Sequence, residues 1–168
     1  MKYFNQETER VILRKLTMSD VEKWTGFFVD NQMLKFVGVD MSKSPNDLAT
    51  EWILRQLERY ENQGLGHLAV VEKKTGKFIG VSGIIPREVD GKTKMEISYS
   101  LKQEFWGKGF ATEISTHLKK FGLESNISNH FVSIIDKENT ASINVAIKNG
   151  MKILSETKYL GMDVFILG

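Results

Sequence analysis

The stretch Glu96-Ile-Ser-Tyr-Ser-Leu-Lys-Gln-Glu-Phe-Trp-Gly-Lys-Gly-Phe-Ala-Thr-Glu113 constrains this chain most, because its hydrophobic period changes across a pair of glycines. Met95, Ile97, Tyr99 and Leu101 alternate with Glu96, Ser98 and Ser100, the period-two pattern of a half-buried strand. Beyond the glycines Phe110, Ile114, His117, Leu118 and Phe121 recur at three- and four-residue steps, so a helix begins near Gly109 and runs to about Leu123. A strand that feeds through glycines into a helix presents free N–H groups and the positive end of a dipole, which suits a phosphate. Gly107 and Gly109 let the backbone approach an anion, and Lys108 adds a positive charge. The plain alternative is a tight turn and nothing more.

Two familiar phosphate loops do not fit. A P-loop places its Lys after the last glycine, whereas Lys108 lies between the two; a dinucleotide fingerprint needs a third glycine where Thr112 stands.

At 168 residues, with 41% apolar and 26% charged residues, the chain is long enough for one compact domain over residues 1–168. Such a domain buries roughly 70% of its unfolded surface. A net charge of +2, spread over scattered basic residues, gives no nucleic-acid footprint. With no cysteine, and with His67, His117 and His130 sharing no ligand spacing, no metal is expected. His117 falls on the apolar face of its helix and reads as a core residue. No apolar run approaches the roughly 20 residues of a membrane span. The opening residues also lack the form of a signal peptide, so a soluble, cytoplasmic protein with no membrane partner is expected.

In chain order, Arg10–Leu16 is a β-rich run, and Thr17 or Ser19 can cap a helix through Asp20, Trp24, Phe27 and Phe28. Ser44-Pro-Asn-Asp47 starts a second helix, with Leu48, Trp52, Leu57 and Tyr60 on one face, and Gly64 ends it. Gly66–Glu72 and Phe78–Ile85 are strands joined by a turn at Lys73–Gly76, and Asp90-Gly91 turns the chain into the Met95–Leu101 strand. These short connections make three antiparallel strands. His130–Ile135 lies too far along for a hairpin, so it pairs in parallel after the helix. Asn139 caps a further helix that Gly150 ends, and Ile153–Thr157 and Val164–Leu167 are closing strands. Left exposed, Val164–Leu167 is an edge through which a homodimer could pair.

The loop Trp106-Gly-Lys-Gly-Phe-Ala111 resembles the acyl-CoA pyrophosphate loop of the GNAT acetyltransferases, R/Q-x-x-G-x-G/A, with Trp106 where Arg or Gln usually stands. The Trp form, continued by Thr112 and Glu113, resembles the ribosomal-protein N-terminal acetyltransferase branch, as does the opening Thr8-Glu-Arg-Val-Ile-Leu-Arg14. Downstream, Asn139, Ser142, Lys148, Gly150 and Met151 resemble that family's N-x-x-[SA] helix, with Met in place of the usual Phe. The resemblance covers nearly the whole chain. It implies an α+β GNAT fold: a mixed, twisted sheet of six to seven strands, flanked by about four helices, with the fourth and fifth strands splayed apart.

That resemblance further implies acetyl-CoA as co-substrate and a primary amine as acceptor. Pantetheine would lie in the splay against Tyr99, Ser100 and Leu101, with Asn139 as a further contact or a plain helix cap. The pyrophosphate would meet Trp106, Gly107, Lys108, Gly109, Phe110, Ala111 and Thr112. Glu96, on the central strand near the splay, is the candidate base, or else a structural carboxylate. Many family members place an acidic Tyr where this chain has Ala146, which leaves Ser142 as the group near the leaving sulfur. Phe36 and Trp52 are candidate acceptor-side walls, or ordinary core. The branch points to a protein N-terminal α-amine; polyamines or antibiotics are the alternative acceptors. Asp30, Asp40, Asp47 and Glu51 are too dispersed to form an acidic pocket. A non-catalytic acyl-CoA-binding module, and a structural protein in which the glycines only turn the chain, are the competing classes.

Overall fold

The computed structural model describes residues 2–168. Its strands are β1 (Asn5–Glu7), β2 (Val11–Arg14), β3 (Gly66–Glu72), β4 (Phe78–Val89), β5 (Lys92–Leu101), β6 (Ser133–Asp136), β7 (Ile153–Tyr159) and β8 (Met162–Leu167). Its α-helices are α1 (Val21–Thr25), α2 (Pro45–Gln63), α3 (Phe110–Glu124) and α4 (Thr140–Lys148).

Strands β1 to β5 form one antiparallel sheet in sequence order, and β6-β8-β7 form a second. A single parallel bridge, Glu96 to Val132, joins them. Ile97 N donates to Val132 O at 2.8 Å and Val132 N to Met95 O at 2.9 Å. The two groups thus make one mixed sheet that splays between β5 and β6. It has one strand more than expected, because Asn5-Gln-Glu7 carries no apolar alternation that could announce a strand.

The first sheet is covered on both faces. Leu13, Leu68, Ile79, Ile84 and Ile97 pack against Ile114 and Leu118 of α3, while Ala69, Phe78 and Val81 pack against Trp24, Trp52 and Ile53 on the α1–α2 side. Strands β3 and β4 therefore feed two cores by their period of two.

Local signals placed most helix ends. The Ser44 side chain accepts from Asp47 N, and Gly64 closes α2 at φ +65°. The Asn139 side chain caps α4 by accepting from Ser142 N. The expected first helix is broken into a 3-10 turn at Met18–Asp20, the short α1 and a second 3-10 turn at Gly26–Phe28. Packing holds it instead of length: Trp24 stacks on Phe27 at 4.2 Å and meets Phe28, Trp52 and Phe78 edge-on.

Two expectations need correction. Val164–Leu167 is not an exposed edge, since β8 lies between β6 and β7 and its Val164, Ile166 and Leu167 are buried. Pairing with β6 pulls the second arm of the hairpin inward and leaves β7 outermost. Strand β4 also runs past Ile85 to Val89. Pro86 is tolerated because β3 ends opposite Ile84, so its missing N–H faces an edge without a partner strand. That extension carries Arg87 to Glu96.

Candidate active site

Past the Glu96–Val132 bridge, β5 and β6 diverge around a groove of about 380 Å³. Ile97 turns its amide to Val132 and its carbonyl to Ser133 Oγ, at 3.3 Å. Alternation along an antiparallel strand aims the Tyr99 amide and carbonyl at the same edge, where β6 has turned away. Tyr99, Ser100 and Leu101 line one wall of the groove; Asn139, Ser142 and Val145 line the other.

The glycine loop closes its end. Trp106, Gly107, Gly109, Phe110, Ala111 and Thr112 all line the groove. Gly107 and Gly109 have φ of +70° and +79°, the left-handed region, and α3 starts at Gly109 with no side-chain cap. Its first-turn amides are therefore available to an anion. The residues fit a pyrophosphate. Lys108 departs from the expected arrangement: it does not line the groove, and its Nζ lies 5.4 Å from the Phe105 ring centre.

The Trp106 indole N–H donates to Leu101 O at 2.7 Å, tying the loop to the end of β5. A second anchor joins two sequence motifs that look unrelated. Glu113 accepts from Thr8 Oγ1 at 2.5 Å, from Arg10 N at 3.0 Å and from Arg10 Nε at 2.5 Å. Arg10 also donates to Lys108 O at 2.9 Å and lies over the Phe110 ring. Burial alone would raise the Glu113 carboxyl, but the Thr8 hydroxyl and the Arg10 amide and guanidinium hold it below the usual range.

A second cavity, of about 150 Å³, meets the groove at Tyr99, Ser100, Asn139 and Ser142. Phe36 lines both spaces. Trp52 lines only the second, where it stacks on His67 with ring centres 5.5 Å apart. The structure thus brings Glu96, Tyr99, Ser100, Asn139, Ser142, Phe36 and Trp52 together around the second cavity, with Glu96 and Trp52 away from the groove.

Glu96 is buried and its Oε2 accepts from Arg87 Nε at 2.8 Å. Tyr99 donates its hydroxyl to Ser142 O at 3.1 Å, and burial pushes this phenol well above its ordinary range. Asn139 spends its side-chain oxygen on Ser142 N, at 3.3 Å. His67 pairs through Nε2 with Ser98 Oγ at 2.9 Å. Burial, then the guanidiniums of Arg87, Arg59 and Arg55, push its pKa far down, so it is neutral and a poor base at neutral pH. Four features were missed by the sequence reading: the Tyr99 hydroxyl, buried His67, the Arg10–Glu113 anchor, and the arginines of the second cavity. Only Arg55 and Arg59 left a signal, one turn apart beside Trp52.

A splayed sheet with a glycine loop at a helix N-terminus and two cavities meeting between the strands defines an acyl-transfer architecture. The chain matches the acetyltransferase (GNAT) domain family over residues 10–152 and belongs to it. It is an acyltransferase enzyme by that membership. It is similar to YkkB, an uncharacterized protein of Bacillus subtilis, at 33% identity over 101 residues, which cover 60% of this chain and 59% of that protein's length. The ribosomal L7/L12 alpha-N-protein acetyltransferase RimL, solved with coenzyme A, shares the fold at 16% identity and a TM-score of 0.75, over 95% of this chain and 92% of that one. The microcin C7 self-immunity acetyltransferase MccE, solved with acetyl-CoA and AMP, does so at 18% identity and a TM-score of 0.77, also over 95% and 92%. Among the described residues no His, Asp or Glu cluster is arranged to hold a metal ion, and no helix is long and apolar enough to cross a membrane.

Proposed function

We propose that the chain transfers the acetyl group of acetyl-CoA to a primary amine by direct attack while both are bound. The observation that carries this reading is the junction: one space suited to an acyl thioester opens onto a second at Tyr99, Ser100, Asn139 and Ser142. A ternary mechanism needs both occupants within bonding distance, and no side chain has to carry the acetyl group between them. The chain supplies no cysteine that could do so.

Pantetheine runs along the open edge of β5 at Tyr99 and the Leu101 amide as an added strand, and the pyrophosphate sits on the amides of Phe110 to Thr112. An amine is mostly ammonium at neutral pH and must lose a proton before attack. Glu96, on the wall of the second cavity, takes that proton directly or through water. The nitrogen adds to the thioester carbonyl, the C–S bond breaks, the sulfur leaves as thiolate, and the surplus proton on the acylated nitrogen passes to that thiolate or to solvent. An ordinary thiol has a pKa of about 8.5, so departure needs a hydrogen bond more than a strong acid. The Ser142 hydroxyl gives that bond, or the Tyr99 hydroxyl does so by turning away from Ser142 O; the raised phenol keeps its own proton.

Two readings of the acceptor stand. The small second cavity, with Leu160 of the β7–β8 turn lying against Gly38, favours a small amine. A protein N-terminal α-amine is the second reading, favoured by the fold shared with RimL. The test is release of free thiol from acetyl-CoA with and without a panel of small amines and N-terminal peptides. Acceleration by an amine supports transfer; acetyl-CoA binding with no acceleration across the panel points to a sensing module.

A further inference from the structure

The second cavity is lined by more cationic than anionic side chains. Arg55 and Arg59 come from α2 and Arg87 from β4, against the carboxylates of Glu96 and Asp136. Arg87 is bound to Glu96 at 2.8 Å, and Asp136, whose Oδ1 accepts the Glu138 amide at 2.9 Å, keeps its charge, so the three arginines exceed the two carboxylates by one. Among the described residues Arg59 has no carboxylate partner; its Nη1 donates to the side-chain oxygen of Gln56 at 3.2 Å. Arg55 has no side-chain partner among them.

Arg55 and Arg59 are four residues apart, so both project from the helix face that also carries Trp52 and Gln56. Like charges at that spacing repel and cost helix stability. Half-buried Arg59 is brought down to about 10, by burial first and then by Arg87 and Arg55. Arg55 is exposed at the cavity mouth and Arg59 lies deeper. A second observation points the same way. Trp52 Nε1 and His67 Nδ1 are buried without a hydrogen-bond partner, and both rings line this cavity. Buried polar atoms are normally satisfied, and although Trp24 Nε1 is unpaired away from the cavity, these two belong to rings on its wall where a polar ligand could meet them. The acids that could have suited a cationic acceptor, Asp30, Asp40, Asp47 and Glu51, do not line the cavity.

We infer that the acceptor is a small amine that carries its own anionic group, a carboxylate or a phosphate, held by Arg59 and Arg55 while its nitrogen faces the junction at Glu96 and Tyr99. This rests on the acetyl-transfer reading above. A guanidinium offers paired N–H donors matched to either oxyanion. Spermidine, by contrast, would bring positive charges against two arginines that have no carboxylate partner.

Matched pairs test it. The protein with saturating acetyl-CoA is assayed for thiol release with ethanolamine against phosphoethanolamine, tyramine against tyrosine, spermidine, and a peptide with an acidic second residue. One anionic member should exceed its neutral partner in kcat/KM by about 10²-fold or more, and which pair responds separates phosphate from carboxylate. Arg59→Gln should shrink that preference at least about tenfold, mainly through KM, while Arg59→Lys retains part of it. Retention of the acetyl-CoA-induced rise in unfolding midpoint shows that each variant is folded. Preference for spermidine or the neutral partners, turnover of the peptide alone, or a preference untouched by Arg59→Gln overturns the inference. If nothing turns over, the anionic amines must still raise the midpoint of the acetyl-CoA-loaded protein further, and no rise overturns it. Failure of acetyl-CoA itself to raise the midpoint contradicts the transfer reading instead.

Discussion

The groove and the second cavity share six lining residues and are built in opposite ways. The groove is made largely of backbone: the open edge of β5, two left-handed glycines and the uncapped start of α3. The cavity is made of side chains delivered by α2, β3, β4, β5 and the β7–β8 turn. Backbone recognition suits a ligand that every family member must share, because few substitutions can remove an amide. Side-chain recognition suits a ligand that differs between members. Fold and donor can therefore stay fixed while the acceptor changes.

Five perturbations separate the two regions. Glu96→Gln should lower kcat by about 10²–10⁴-fold while leaving acetyl-CoA affinity in place, read by steady-state kinetics beside a binding titration. Loss of both would mean that Glu96 holds the splay together and does not act on the amine. Gly109→Trp forces a bulky residue into a left-handed backbone that costs roughly 1–2 kcal/mol, and fills the approach to the phosphates. The dissociation constant for acetyl-CoA should rise at least about tenfold, measured by calorimetry.

His67 gives the cavity a pH signature. Its folded pKa is lowered, so the unfolded chain binds a proton that the folded one refuses. Stability is then full above about pH 6.5 and falls as pH drops below it, by up to about 1.4 kcal/mol per pH unit. His117, lowered by burial and Lys120, acts with the same sign. Chemical denaturation from pH 7 to 5 should show the decline, and His67→Gln should flatten it; an unchanged slope would remove His67 as its source.

Glu113→Gln loosens the anchor between Arg10 and the glycine loop. Arg10 is 39% exposed, so solvent screens the pair, and a few-fold loss of acetyl-CoA affinity is expected. Ser142→Ala should cost less than about tenfold in kcat, since the Tyr99 hydroxyl can turn from Ser142 O to the sulfur in its place. Unchanged turnover would take the Ser142 hydroxyl out of the mechanism.

How legible each region was follows from the same contrast. The glycine loop, the Ser44 and Asn139 caps and the Gly64 stop are local, because a few neighbouring residues decide the backbone there. The Glu96–Arg87 pair depends on β4 continuing through Pro86, which a short apolar run ending at Ile85 does not announce. The Arg10–Glu113 anchor spans 103 residues, and each half reads alone as a surface charge. Arg55 and Arg59 stood beside Trp52 in the sequence, but a pair of arginines on a helix acquires meaning only from the walls that other elements build around it. The inward position of β8 needed the pairing with β6, which joins residues some thirty apart.

The most direct test of the central claim, that the glycine loop and splay bind acetyl-CoA, is thermal unfolding with and without the ligand. At a hundred times its dissociation constant a ligand adds about 2.7 kcal/mol, which should raise the midpoint of a domain this size by roughly 5–10 °C. The same experiment on Gly109→Trp should give a much smaller rise at equal concentration. No rise for the native chain at any attainable concentration would contradict the account at its root.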